Sequence, residues 1–194
     1  VTGQPLPVTT TVYILPAASC TPTAASWTSE SSYAYGVSAF NITGYSGSTL
    51  SDAGITSAIN TTTGYLSRIG TVGTVNLQQG SVNASSVSWG TVSNYQEAQV
   101  WIDFNNNGTF EVTEEVSGVV GFSTSATPSP TTFNITIPSN APVGVRRMRM
   151  RGDWESIATT LGVAPSHLDP CLINYLGSNP NAYSGDVVDY TVNI

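Results

Sequence analysis

The sequence contains no lysine, and its five basic residues are all arginines. Without lysine, Schiff-base catalysis and lysine–asparagine isopeptide cross-links are both excluded. Acidic residues outnumber basic ones by twelve to five, which gives a formal net charge of −7. Because binding to a phosphate backbone requires a basic surface, we expect no nucleic-acid partner.

Charged residues of either sign are scarce, at 9% of the chain, against roughly 25% in average soluble proteins. Hydrophobic residues make up 40%, so the chain is not of the charged, disordered type. Its polarity comes from Ser, Thr, Asn, Gln and Gly, a mixture typical of β-structure with many turns. No apolar run approaches the length of a membrane span. No signal peptide or initiator methionine is present, which predicts a mature, processed chain.

Histidine occurs once, as His167, beside Ser166 and Asp169. A Ser-His-Asp triad is defined by geometry, and three neighbours in sequence rarely converge correctly, so a solvated loop histidine is the simpler interpretation. A carboxylate pair for glycoside hydrolysis is the other catalytic alternative among twelve acids. We assign no catalytic residues and expect no enzyme.

The only two cysteines are Cys20 and Cys171, one near each end of the chain. In an all-β, threonine-rich chain, this spacing predicts a disulfide formed in an oxidising compartment. Two unpaired buried thiols are the alternative.

Short runs with strand-like alternation recur along most of the chain and are separated by turn signals. This pattern predicts an all-β fold, an antiparallel β-sandwich of jelly-roll or Ig-like topology. Residues 53–60 could add one helical turn. The predicted strands are Tyr33–Thr43, Tyr65–Val75, Val82–Trp89, Glu97–Phe104, Phe110–Gly121, Thr132–Ile137, Val145–Arg151 and Asp186–Ile194.

Residues 1–17 form an N-terminal strand extension to a domain that we place at residues 18–194. Prolines bracket a strand-like run, Val8–Leu15, which carries apolar residues on both faces. Such a strand needs cover on both faces. It is either the first strand of its own domain or an arm that pairs with another subunit, which would make a homo-oligomer or filament.

The stretch from Val100 to Glu115 begins as a strand and then breaks into Asn105-Asn106-Asn107-Gly108. The spacing Asp-x-Asn-x-Asn-Gly-x5-Glu is typical of oxygen ligands wrapped around calcium. The helices that flank this pattern in an EF-hand are absent, so this would be a loop carried by a strand. The alternative is an Asn-Gly hairpin without an ion. The candidate ligands are Asp103, Asn105, Asn107, Thr109, Glu114 and Glu115.

Three arginines alternate on one face of the predicted strand 145–151: Arg147, Arg149 and Arg151. The C-terminal strand carries Asp186 and Asp189, so a cross-strand Arg–Asp network is the structural interpretation. An anion or sugar-acid site is the functional alternative.

Aromatic residues could form a sugar-stacking platform. Trp101 lies on the face of its strand opposite the core residues, and a weaker alternation places Trp89 on the outward face of its own strand. Packing inside the sandwich is the alternative. Five Asn-x-Ser/Thr sequons occur, about as many as chance gives in a chain this rich in Asn, Ser and Thr. Apart from Asn107 in the loop, the glycosylation candidates are Asn41, Asn60, Asn83 and Asn134.

Four stretches together resemble the GEVED domain family of secreted and surface-attached bacterial proteins, over about residues 19–194. The resemblance implies a β-sandwich, a secreted location and a calcium-type loop. In that family the loop usually has Asp at the position of Asn107, and its closing Glu falls at Glu115. The name-giving motif reads Gly-Asp-Val-Val-Asp here. The stretches are Ser19–Pro22, Val100–Asn105 with Gly108, Arg147–Arg149 and Gly185–Val192.

These observations predict a non-catalytic structural or adhesive protein, extracellular and either secreted or attached to a bacterial surface. Its sharper form is a self-assembling filament subunit that uses residues 1–17. The alternative is a calcium-dependent carbohydrate-binding module.

Overall fold

The computed structural model describes residues 15–20, 36–59, 63–90, 96–121, 129–154, 168–171 and 186–194. Within these ranges the chain forms nine strands and one short helix, α1 (Ile55–Ala58). The strands are β1 (Val37–Thr43), β2 (Thr49–Asp52), β3 (Tyr65–Ser67), β4 (Val75–Asn76), β5 (Val82–Trp89), β6 (Gln96–Ile102), β7 (Thr131–Thr136), β8 (Val145–Trp154) and β9 (Asp186–Asn193).

Two sheets pack face to face, which confirms the predicted all-β sandwich. The first sheet is antiparallel, in the order β2-β1-β5-β7. The second has the order β3-β9-β8-β6, and β4 also pairs with β9. Inward side chains of both sheets form one core, in which the rings of Phe40 and Tyr190 lie 5.5 Å apart.

The second sheet is mixed, which the sequence pattern did not predict. β8 pairs antiparallel with both β6 and β9. The short strands β3 and β4 instead run parallel to β9, with Tyr65 opposite Val187 and Val75 opposite Val192. β9 is therefore an inner strand of its sheet, buried on both faces.

Most predicted strands are confirmed, but one prediction was wrong. Phe110–Gly121 is not a regular strand; it contains a 3-10 turn at Val112–Glu114 and only isolated bridges at Glu115 and Val120. The Glu114 carboxylate accepts hydrogen bonds from the N–H groups of Phe104 and Asn105, at the start of the loop that follows β6, and this brings the chain back toward that loop.

Two smaller differences concern short strands. The predicted run Tyr65–Val75 is divided into β3 and β4 by a turn, in which Gly70 has a φ of +73°. β2 was not predicted, because its sequence Thr49–Asp52 is short and polar. The predicted helical turn is present as α1.

Residues 15–20 cross the outer face of the second sheet. Most of the predicted strand Val8–Leu15 lies outside the described residues, and its last residue, Leu15, is not in a strand. Among the described residues, no helix has both the length and the apolarity that a membrane crossing requires.

Candidate functional site

The loop after β6 is organised by side-chain oxygens that accept hydrogen bonds from its own backbone. Asp103 is fully buried, and its two carboxylate oxygens accept from the N–H of Asn107 at 3.1 Å and of Gly108 at 2.8 Å. Asn105 Oδ1 also accepts from the N–H of Asn107, at 2.9 Å. Asn107 Oδ1 accepts from the N–H of Thr109 at 2.7 Å. The loop is thus closed around its polar side chains.

Glu114 completes the loop from the opposite side. Its Oε1 accepts hydrogen bonds from the N–H groups of Phe104 at 2.8 Å and Asn105 at 3.3 Å. Its Oε2 accepts from the N–H of Glu111 at 3.3 Å. Burial, and then a side-chain hydrogen bond with Glu111, raise the pKa of Glu114 to about 7.

Glu111 belongs to this site, although the sequence interpretation missed it. Its carboxylate accepts from Asn107 Nδ2 at 2.8 Å and from Asn105 Nδ2 at 3.3 Å. Hydrogen bonds from Glu114 and then Asn107 lower the pKa of Glu111. A signal was available: counted from Asp103 as position 1 of a calcium loop, Glu111 is position 9, which supplies a ligand in such loops.

The donor set suits a hard cation. Asp103, Glu111 and Glu114 contribute carboxylates, Asn105 and Asn107 contribute amide oxygens, and calcium prefers six to eight oxygens of this kind. The Asn106 side-chain oxygen is buried within the same loop without a hydrogen-bond partner. No three His, Cys, Asp or Glu side chains in the described ranges converge as a ready-made metal cluster. A cation in this loop would therefore need amide or backbone oxygens in addition to the carboxylates.

Glu115 is oriented differently from Glu114. Its backbone forms a bridge with Trp101, and its side chain borders a hollow together with Asp169 and Pro170. Of the two candidate closing glutamates, the geometry therefore favours Glu114.

The loop is joined to residues 15–20 through Gly108. The Gly108 carbonyl accepts from the N–H of Ser19 at 2.7 Å, and Thr109 Oγ1 donates to Ser19 Oγ at 3.2 Å. A Cβ on Gly108 would lie 2.3 Å from the Ala17 carbonyl oxygen, and its φ is +81°. Both the close approach and the backbone conformation require glycine here.

A second polar constellation lies on the outer face of β8 and β9. Asp189 is fully buried and accepts two hydrogen bonds from Arg149, at 2.7 and 2.9 Å, and one from Arg147 at 2.9 Å. The Tyr65 hydroxyl adds a fourth at 3.0 Å, and burial together with Asp189 raises the pKa of Tyr65. The predicted Arg–Asp network is therefore present at Asp189.

The arginines also bind two covering segments. Arg147 donates to the Pro16 carbonyl at 2.6 Å, and Arg149 donates to the carbonyls of Cys20 at 2.9 Å and Pro170 at 3.1 Å. Arg151 donates to the Asp169 carbonyl. We call residues 15–20 and 168–171 the strap; its halves are joined by the Cys20–Cys171 disulfide.

The strap also has an apolar underside. Leu168 packs on Trp101 and Phe110 in a small cluster separate from the main core, and Ala18 lies against it. The guanidinium of Arg149 sits 4.5 Å from the Phe110 ring centroid, within cation–π range. The predicted disulfide is confirmed, and the strap converts the outer sheet face into a second buried layer.

Asp186 does not face the arginines. It lies three residues before Asp189, and an odd spacing along a strand places two side chains on opposite faces. Its Oδ2 accepts from the N–H of Val37 at 2.7 Å instead. The interpretation of the three arginines as an open anion or sugar-acid site was wrong, because Asp189 and the strap carbonyls bind their buried guanidinium groups.

Of the two interpretations of the aromatic residues, Trp101 and Trp89 fit the one in which they pack inside the protein. Trp101 is 1% exposed beneath the strap, and Trp89 is 5% exposed with its Nε1 donating to Thr131. Neither ring can stack on a sugar in solution. Asp169 binds the N–H of Cys171, whereas His167 and Ser166 lie outside the described residues.

The glycosylation candidates occupy different environments. Asn134 is exposed on β7. Asn83 is only 5% exposed, and its side-chain amide donates to Ser81 and to the Ile135 carbonyl. Asn83 is therefore a poor site for glycan attachment. Asn41 is half-buried and bonded to Ser51. Asn60 lies outside the described residues.

A comparison with protein-family profiles matches residues 97–193 to the GEVED domain. This is half of the chain, and it contains the loop, the arginines and Asp189; the N-terminal half of the strap precedes it. Comparisons with curated proteins and with solved structures each gave no significant match. The family and the intrachain disulfide both point to an extracellular domain. On the strength of the profile match, this chain belongs to the GEVED domain family.

Proposed function

We propose that this chain is a non-catalytic, extracellular building block of a bacterial surface structure, whose copies assemble head-to-tail through the N-terminal arm. The observation that supports this is the strap, which fastens residues 15–20 to the domain. Pro16, which follows the arm closely in sequence, is held on the outer sheet face by a hydrogen bond from Arg147 to its carbonyl.

The strap suits a joint under tension. Force applied to the arm would be transmitted to the Cys20–Cys171 disulfide, which joins positions 151 residues apart. The carbonyls of Pro16 and Cys20 add hydrogen bonds to Arg147 and Arg149, and the Asp189 carboxylate holds both guanidinium groups from below. An arm anchored by a covalent bond and charge-assisted hydrogen bonds can transmit force to the whole sandwich.

The edge strand β7 is the acceptor that best fits the arm. It is the last strand of its sheet in the described part of the chain, and no residue in it is charged. Thr136 donates its N–H away from β5, to Val116. By the alternation of an antiparallel ladder, the backbone groups of Thr132 and Asn134 point to that same outer side. Thr136 is already bound to Val116, so an added strand would bind this edge at Thr132 and Asn134.

The energies are sufficient for assembly. The strand-like run Val8–Leu15 could add several backbone hydrogen bonds, each contributing about 1 kcal/mol net. Burial of its apolar side chains contributes about 25 cal/mol per Å² more. A head-to-tail contact that does not close into a ring makes a filament.

Deletion of residues 1–14 is expected to abolish polymerisation and leave the strap intact, because the deletion ends before Pro16. Full-length protein should form concentration-dependent polymers by light scattering and electron microscopy, while the truncated protein stays monomeric with an unchanged melting temperature. Full-length protein that remains monomeric at millimolar concentration would contradict the proposal. A truncated protein that unfolds would assign the arm to its own sandwich.

A pair of variants at one position tests the acceptor edge. Thr132→Pro removes the outward N–H and obstructs an added strand, and proline is tolerated at edge positions. Thr132→Ala keeps the N–H. We expect the proline variant to stay monomeric and the alanine variant to polymerise like the original chain. Equal polymerisation of the two would exclude β7.

We further propose that the Asp103–Glu114 loop binds one calcium ion and thereby fixes the strap. The support is the chain of contacts from Asp103 to Gly108 and from Gly108 to Ser19, the residue before Cys20. When bound, the cation would neutralise the clustered carboxylates of Asp103, Glu111 and Glu114. The loop would then hold the base of the arm rigidly.

Calcium is expected to raise the melting temperature, and EDTA to lower it, because a ligand that binds only the folded state stabilises by mass action. At a free calcium concentration of 100 times Kd, the gain is about 2.7 kcal/mol. Glu114→Gln should abolish this response, while Glu115→Gln, its matched neighbour, should retain it. A response lost only in the Glu115 variant would overturn the ligand assignment. Identical melting curves with calcium and with EDTA would exclude the site.

A further inference from the structure

Two adjoining hollows open at one end of the sandwich, next to β4 and the end of β9. Their volumes are about 420 and 530 Å³. Both are lined by Asn76 and Asn193, so this pair of residues forms the ridge between them. Neither hollow shares a residue with the Asp103–Glu114 loop. Neither contains a member of the arginine layer, the name that we give to Arg147, Arg149, Arg151 and Asp189. We call the two hollows together the end groove.

The end groove is lined by neutral hydrogen-bonding groups. No Asp, Glu, Lys, Arg or His side chain of the described residues lines it. Arg146, on the neighbouring strand, turns its guanidinium back to the carbonyls of Val143 and Val145. The polar side chains that line the groove are Tyr45, Ser46, Thr74, Asn76, Gln78, Gln79, Thr191 and Asn193.

The amides on the ridge are oriented by one another and keep free capacity. Asn193 Nδ2 donates to Asn76 Oδ1 at 3.0 Å. With respect to the described residues, this leaves the Asn193 oxygen and the Asn76 amino group for a ligand. Gln79 Nε2 is bound to the Ala141 carbonyl at 2.6 Å, which leaves its oxygen. Gln78 is exposed beside them. Acceptors and donors therefore alternate over a short distance.

The same groove displays an aromatic ring. Tyr45 is 56% exposed and Val143 is 66% exposed, and these are two of the four large hydrophobic side chains that are exposed in the described ranges. Tyr45 stands on a 3-10 turn in which Ser46 has a φ of +52°. Such a conformation is unusual for a residue other than glycine. The turn holds Tyr45 outward, where no core packing requires it.

We infer that the end groove binds a neutral saccharide. Hydroxyl groups both donate and accept, so a sugar can satisfy paired amide groups of both kinds. The apolar C–H face of a sugar ring packs on an aromatic side chain. A charged ligand would lose its hydration without gaining an ionic partner. The paired hollows on either side of the Asn76–Asn193 ridge suit two or more linked rings.

An extended peptide is the competing occupant, because Leu15 lines one of the hollows and the N-terminal arm precedes it. The backbone of β4 argues against strand addition here. Asn76 donates its N–H to Ser48 Oγ at 3.0 Å, and its carbonyl accepts from the same hydroxyl at 3.2 Å. Ser48 thus occupies the backbone groups that an added strand would need.

The test uses full-length protein on an array of neutral gluco-, manno-, galacto- and xylo-oligosaccharides, with acidic oligosaccharides as comparison. Calorimetry then measures the affinity for each neutral sugar bound. Tyr45→Ala is expected to weaken binding by about tenfold. Asn76→Ala should also weaken it. Val112→Ala, which removes another exposed side chain outside the groove, should leave affinity unchanged. Melting temperatures of all three variants establish that they are folded.

Three results would overturn the inference. The first is no binding of any neutral oligosaccharide, and the second is equal affinity in the Tyr45 variant. The third is saturable binding of a synthetic peptide of residues 1–14 that is lost on Tyr45→Ala, which would assign the groove to assembly. Because polymerisation is measured separately, failure here is distinguishable from failure of the proposed assembly.

Discussion

Replacing Asp189 with asparagine is expected to lower the free energy of unfolding by about 3–5 kcal/mol, the usual cost of removing one partner of a buried ion pair. Asp189 is fully buried, and its carboxylate holds Arg147 and Arg149 through three hydrogen bonds. The variant keeps the shape of the side chain but removes the negative charge that Asp189 supplies to two guanidinium groups beneath the strap.

Urea unfolding of Asp189→Asn measures this loss. Arg146→Gln is the matched control, because Arg146 lies on the same strand but is half-buried and donates only to nearby carbonyls. We expect Arg146→Gln to lower the free energy of unfolding by less than about 1 kcal/mol. Arg149→Gln should resemble the Asp189 variant, since it leaves Asp189 buried with a single arginine. Similar small losses in all three would show that the layer is solvated and does not support the strap.

Removing the disulfide by Cys20→Ser with Cys171→Ser is expected to cost up to about 5 kcal/mol in the chain-entropy model, because the bond closes a very long loop. The two positions are 151 residues apart. The strap would also lose its covalent closure over Arg149, although the carbonyl hydrogen bonds could still form.

The measurement compares melting temperatures with and without reductant. Reductant should lower the melting temperature of the original chain and leave that of the double serine variant unchanged. Alkylation without reductant should label no cysteine in the original chain. Two labelled thiols, or equal stability of the two proteins in the absence of reductant, would contradict the predicted contribution.

Strands with clean alternation could be predicted from the sequence. Val82–Trp89 was predicted with the bounds that β5 has, because buried residues occupy every second position between two turns. The prediction of a strand at Phe110–Gly121 was wrong for a physical reason. Glu114 binds backbone N–H groups of the loop before it, and this contact prevents the regular strand that the apolar pattern indicated. Alternation describes which face a side chain prefers, and it does not reveal such a contact.

The site was predicted in part. Asp103, Asn105, Asn107 and Glu114 all bind groups of the same loop, and the same numbering could have identified Glu111. Calcium binding by this loop stays a prediction. The separation of Asp186 from the arginines could also have been predicted from the odd spacing to Asp189. The position of the strap over the arginines could not have been predicted. The arginines bind backbone carbonyl oxygens of the strap, and every residue carries such an oxygen.

The parallel pairing within the second sheet has a consequence for the order of folding. β9 pairs with β3, β4 and β8, and Tyr65 contacts Asp189 across 124 positions of sequence. The second sheet therefore cannot close until β9 is available. Such long-range pairing is intrinsically slow, because the entropy of closing the loop is lost before the contacts form. We expect the domain to stay incompletely folded until β9 has been synthesised. The buried arginine layer, which rests on Asp189 of β9, would then form only after that strand is in place.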